Sequence, residues 1–292
     1  MYNQTDSNKR NSVILMMIFI IIIISIGYGL EFIWGDGSYL IVWGAVIISL
    51  LMTSVSYFKG DKIALASSGA KEINKTNDIY LHRIVENLCI TAGTPMPKVY
   101  IIEDEAINAF ATGRKPEISS IAITRGAIEK LENEELEGVI AHELSHIKNY
   151  DIRFMMLVAV MVGSIALISD IFIRSQFFGR RSSNSKSNPA FLIVGIVLAV
   201  LSPLIAEIIK LAISRKREYL ADASGSLLTR YPEGLASALE KIATENQPLK
   251  KSSNATAHLF ISNPFKNKSK FHNLFSTHPP IQDRIGKLRG MT

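Results

Sequence analysis

The residues best suited to chemistry are gathered in one hexapeptide, Ala141-His142-Glu143-Leu144-Ser145-His146. His142 and His146 stand four positions apart, so on a helix they share one face, one turn from each other. That spacing suits two nitrogen ligands on a single Zn²⁺, with Glu143 aimed at a water that the metal polarises. The bland alternative is a helix with two incidental histidines. The stretch before them, 131–140, reads as the start of that helix. Asn133 can cap it, and Glu134 and Glu135 sit in the first turn, where the dipole favours anions. Leu136, Val139, Ile140, Leu144 and Ile147 recur at helical spacing and mark its buried side.

A catalytic zinc site commonly uses three protein ligands and leaves a position for water. A third histidine six residues beyond His146 would mark one class of such sites, but Ile152 stands there. The remaining common solution is a glutamate on a later helix. Glu218 has a fitting context. Asp222 follows one turn later on the same face, where it can accept a hydrogen bond from the far nitrogen of a zinc-bound histidine. The competing reading of Glu218 is a surface carboxylate paired with Arg215 or Arg217.

The elements that must position these groups are set in an apolar chain. Of 292 residues, 48% are hydrophobic and 20% charged, and the apolar excess is gathered into long uncharged runs. A net charge of +6 does not point to nucleic acid, because the basic residues flank the apolar runs and form no stripe interleaved with aromatics. The single cysteine, Cys89, excludes an internal disulfide and falls in the apolar register of a helix, as a small buried residue would.

Four runs are long enough to cross a bilayer. Val13 to Leu30 and Leu40 to Phe58 form a first hairpin, with Tyr39, Trp43, Tyr57 and Phe58 as interfacial anchors. Lys9 and Arg10 precede it and Lys59 and Lys62 follow it, which puts both outer ends in the cytoplasm. Phe154 to Ile173 and Ala190 to Ile213 form a second hairpin, joined by a loop carrying Arg174, Arg180, Arg181 and Lys186. That basic loop opposes the positive-inside tendency; full spanning is nevertheless the favoured reading. Between the hairpins, Asn77 to Ala92 reads as an amphipathic helix stopped by Gly93. Val99 to Ile102 and Ile118 to Ile123 read as strands. Asn108-Ala109-Phe110-Ala111-Thr112 suits either an exposed strand edge, where an extended peptide could pair, or a plain connecting strand.

Four blocks carry a family resemblance: Asn108 to Gly113, Ala141 to His146 with Asn149 and Asp151, Arg217 to Asp222, and Thr277-His278-Pro279-Pro280 followed by Arg284 and Ile285. The chain resembles the HtpX-like membrane metalloproteases of peptidase family M48 over nearly its whole length. The resemblance implies a mainly α fold with a small β-sheet (α+β). It implies four transmembrane helices and a gluzincin-like cytoplasmic domain built in two halves. Residues 1–58 and 154–213 would be the membrane hairpins, and 59–153 and 214–292 the halves of the protease domain. Applied by motif, it makes His142, His146 and Glu218 the ligands of one Zn²⁺ and Glu143 the general base. It also makes Asn108, Ala109, Phe110, Ala111 and Thr112 a strand that holds substrate.

The implied activity is that of a stress-response metalloendopeptidase in a bacterial plasma membrane, acting on damaged or unfolded membrane proteins. Its partners would be those substrates and the lipid bilayer, with no nucleic acid. An oxyanion formed during cleavage needs a second electrophile; His278 is the candidate, supported by Arg284, although His278 can equally pack on Pro279 and Pro280. The rival reading is a membrane adaptor or holdase with structural zinc. Structural sites usually close four positions, often with cysteine, and only Cys89 exists.

Overall fold

The computed structural model describes residues 2–178, 215–245, 247–252, 256–265 and 279–291. The first two helices, α1 (Tyr2–Trp34) and α2 (Leu40–Ser68), pack as a hairpin. The Glu31 carboxylate closes it, accepting from the backbone N–H groups of Tyr39 at 3.1 Å and Ile41 at 3.3 Å. It thereby satisfies donors that the start of α2 leaves without a helical partner. Ile21, Phe32, Leu40, Trp43, Leu51 and Phe58 point outward, as lipid-facing side chains do. Among the described residues, α1 and α2 are the helices long and apolar enough to cross a membrane. α2 does not stop at Phe58. It continues to Ser68 and ends at Gly69, whose φ of 70° is left-handed and lets its N–H reach Ala66 O.

A four-stranded sheet follows, made of β1 (Lys71–Glu72), β2 (Lys98–Ile102), β3 (Ala109–Lys115) and β4 (Ile118–Thr124), in the order β1-β2-β4-β3. β2 runs parallel to β4, while β1 and β3 are antiparallel to their neighbours. Side chains alternate across it, as strand geometry requires. Val99, Ile101, Ala109, Ala111, Ile121 and Ile123 enter the main core. Ile102, Phe110 and Ala122 face the other way, against Ala64 and Leu65 of α2. That second layer also holds Met155 and Ala159 of α6 (Asp151–Phe178).

The main core is roofed by α3 (Ile79–Ala92) and α5 (Asn133–Lys148). α3 starts two residues later than its pattern suggests, because Asp78 caps it by accepting from the Leu81 N–H at 2.9 Å. Leu81, Ile84, Val85, Leu88 and Cys89 are buried, and burial pushes the Cys89 thiol up to about 11. A short α4 (Arg125–Lys130) leads into α5. Glu132, not Asn133, sits at the cap position, and its N–H donates to Glu135 Oε2 at 2.7 Å. α7 (Arg215–Thr229) and α8 (Pro232–Glu245) pack on α5, and α9 (Ile281–Arg289) packs on α8.

The run 190–213 and the loop carrying Arg180, Arg181 and Lys186 lie outside the described residues, while Arg174 falls within helix α6. The expected divisions at 58 and 153 fall inside the continuous helices α2 and α6.

Leu144 is almost wholly buried between the two histidine turns of α5. Leu144→Ala should lower unfolding free energy by about 2–5 kcal/mol, read from denaturant melts of the detergent-solubilised protein; a loss below about 1 kcal/mol would mean that α5 is not clamped in the core.

Candidate metal centre

α5 presents His142, Glu143 and His146 on its buried side. α7 meets it with Glu218, Asp222 and Gly225, which share one face at intervals of four and three. The close approach depends on Gly225. A Cβ there would lie 3.0 Å from the His142 backbone nitrogen and 3.2 Å from its Cα. A larger residue would hold α7 away at the level of the first histidine.

The two Nε2 atoms are 3.2 Å apart, and Glu218 oxygens lie 3.8 Å from that of His142 and 3.6 Å from that of His146. Tetrahedral zinc with bonds of about 2.0–2.2 Å separates neighbouring ligand atoms by about 3.4 Å. The three donors therefore have the spacing of ligands around one ion. Among the described residues they form the group of this kind, mutually within 4.8 Å.

The far side of each ring is also held. His142 Nδ1 is 2.9 Å from Asp222 Oδ1, and His146 Nδ1 is 3.0 Å from Asp151 Oδ2. A carboxylate on Nδ1 places the ring proton there, so Nε2 presents a lone pair. Two lone pairs and a carboxylate then converge on one point, an arrangement that repels itself unless a cation lies between. The charges agree. Glu143, Glu218, Asp151 and Asp222 are buried with Arg217 and Arg284. With the carboxyls ionised and the imidazoles neutral, that set lacks two positive charges, the complement of a divalent ion. The donor set fits zinc.

Electrostatics follow the same plan. The anionic surroundings that would draw a cation also draw a proton: against burial, the Asp151 hydrogen bond and the charges of Glu218, Asp151 and Glu143 raise the His146 ring to about 9, and a metal ion on Nε2 would displace that proton. Burial pushes the Glu143 carboxyl above its usual range, with Glu218 adding to the rise against the pull of the histidines and the Ala111 N–H. Glu143 Oε2 has no hydrogen-bond partner among the described residues. Burial opposes charge on Asp222, yet Arg284 and His142 hold its carboxyl far below the ordinary range.

Arg284, expected to support His278, is engaged with Asp222. Its guanidinium donates to Asp222 at 2.6 and 2.9 Å and to Ile261 O at 3.1 Å, wholly buried. His278 and His272 lie outside the described residues. His82 and His258 are packing histidines on the carbonyls of Ile73 and Met155.

β3 is an edge strand, but the picture of an exposed edge needs correcting. Ala109, Phe110, Ala111 and Thr112 are buried, and Ala109 O already accepts from the Ile261 N–H at 2.9 Å. Asn108 precedes the strand, and its side chain is engaged with the Ser262 main chain. The other side of the strand is paired to β4, with Ala111 opposite Ile121. Two positioning residues carried only weak sequence signals. Asp151 stands five residues after His146, and Gly225 one helical turn after Asp222.

A family model described as Peptidase family M48 matches residues 75–292. The chain belongs to peptidase family M48. It is 45% identical to the "Protease HtpX homolog" of Thermoanaerobacter pseudethanolicus, covering 100% of this chain and 98% of that one. It is 44% identical to the homologue of Dictyoglomus thermophilum, over 99% of this chain and 94% of the relative. The crystal structure of S. mikatae Ste24p shares the fold, with a TM-score of 0.54 and 18% identity, over 99% of this chain and 67% of that one. Family membership and the outward-facing apolar helices make this M48 chain a membrane metalloprotease.

Gly225→Leu should separate α7 from α5 and strip the protein of bound metal during purification, measured by metal analysis. Full metal content in a folded variant would show that the helices tolerate a wider gap.

Proposed function

We propose that the chain is a zinc-dependent integral-membrane endopeptidase that cuts misfolded or damaged membrane proteins on the cytoplasmic side. The observation carrying this reading is the convergence of His142 Nε2, His146 Nε2 and Glu218 beside a buried Glu143. Zn²⁺, when bound by those three residues, supplies a polarised water and positive charge for the developing oxyanion. Glu143 takes the proton of the water and returns it to the leaving amine. Burial raises its affinity for protons, in the direction that a proton acceptor requires.

Substrate docks as an added strand along β3, the sheet's edge strand, whose other side is paired to β4. A peptide paired there brings a carbonyl beside the base. Arg284 acts on Asp222, and through it on His142. His278 is the proposed partner of the oxyanion.

The catalytic unit is divided between 59–153 and 214–292, with a second hairpin at 154–213. α5 passes into α6 across Asn149 and Tyr150 alone, which supports a metal centre close to the bilayer surface. The start of α1 packs on that corner, with Lys9 Nζ 4.4 Å from the centre of the Tyr150 ring. This supports an amino terminus and a metal centre on one side of the membrane, and the basic flanks make that side cytoplasmic.

Purified protein incubated with an unfolded substrate should cut it, and a chelator should stop the cutting. Glu143→Gln should keep zinc and lose about 10²–10⁴-fold in kcat; undiminished turnover would remove Glu143 from the base role. Glu218→Ala should lose zinc itself, and unchanged stoichiometry by metal analysis would demand another third ligand. Zinc binding with no cleavage by the wild type would favour the adaptor instead.

A further inference from the structure

The two histidines are backed differently. Behind His142 stands Asp222, held by the Arg284 guanidinium through two short hydrogen bonds. Behind His146 stands Asp151. Asp151 Oδ1 receives a hydrogen bond of 2.5 Å from the side-chain amide of Asn8, a residue near the start of the first membrane helix.

Asn8 is buried and every part of its amide is used. Nδ2 donates to Asp151 Oδ1 and, at 2.9 Å, to the backbone carbonyl of Asn149. Oδ1 accepts from Arg217 Nη1 at 3.5 Å. This fixes the amide orientation: turned over, its oxygen would face a carbonyl and a carboxylate. The Arg217 guanidinium is 4.0 Å from Asp151 Oδ1, too long for a short hydrogen bond. The short hydrogen bond to that oxygen therefore comes from Asn8. Below it, Leu15 and Phe19 of α1 are buried against Phe154, Leu157 and Val158 of α6, so the helix carrying Asn8 is anchored where it stands.

We propose that Asn8 is a positioning residue of the metal centre, orienting Asp151 and through it the His146 ring. This rests on reading His142, His146 and Glu218 as a zinc site. Asn8 does for Asp151 what Arg284 does for Asp222. The difference is that its donor comes from outside the stretch matched by the family model, which begins at residue 75. The first membrane helix is thus part of the metal centre as well as an anchor. A carboxylate behind a zinc-bound histidine sets the tautomer and aim of the ring, and loss of such support typically weakens metal binding about 10–100-fold.

The test uses the full chain in detergent, with zinc affinity measured by competition against a fluorescent chelator. Asn8→Leu keeps the volume and removes the hydrogen bonds. It should weaken zinc binding by about 10–100-fold, while Asp6→Asn, an exposed change on the same helix, should leave it unaltered. In an Asp151→Asn background, Asn8→Leu should add little, because both changes break one chain of contacts. If the leucine variant is not recovered folded, Asn8→Ser carries the comparison, with a smaller expected loss. Wild-type affinity in a folded Asn8 variant, or losses that simply add in the double variant, would overturn the role given to Asn8 and leave the zinc reading standing. Failure of the wild type to bind zinc would overturn both.

Discussion

Two imidazole lone pairs held 3.2 Å apart, with a carboxylate beside them, are a repulsive arrangement. The rest of the structure exists to maintain it. Asp151 and Asp222 fix the ring protons on the far nitrogens. Buried arginines balance those acids. Gly225 lets α7 press against α5 so that Glu218 arrives at the same point. A buried carboxylate is costly without partners, so Asp151 and Asp222 are each tied to a donor on another element. Assembly of the site and folding of the domain are therefore one process.

Much of this was legible in the residues, because the relevant patterns are local. The spacing of His142 and His146, the apolar stripe of α3 and the alternation in β2 and β4 are properties of single elements with fixed periods. So was Asp222 as the support of one of the histidines: it lies one turn from Glu218, and helical geometry carries both to the same wall. The boundaries were harder. The apolar run of α2 ends where lipid would end, but backbone hydrogen bonding is indifferent to that change, and the helix continues to Ser68. Glu132 takes the cap position from Asn133 because its extended backbone, with φ −67° and ψ 166°, places the first turn one residue earlier.

What the residues did not announce comes from contacts between distant parts. Asp151 folds back onto His146 because Tyr150 turns the chain with a φ of 61°. Glycine or asparagine usually marks such a turn; a tyrosine gives no such sign. The coverage of β3 by the segment around Ile261 joins positions far apart in the chain. Asn8 has no motif at all. It becomes meaningful only when α1 is seen lying against the corner between α5 and α6.

Residues 8, 151, 217, 222 and 284 all stand behind the two histidines. During synthesis the histidine pair leaves the ribosome long before the guanidinium of Arg284. Until then Asp222 lacks the counter-charge that makes its burial tolerable. The backing of the first histidine is therefore supplied by one of the last-made side chains of the chain, and that of the second by one of the first-made.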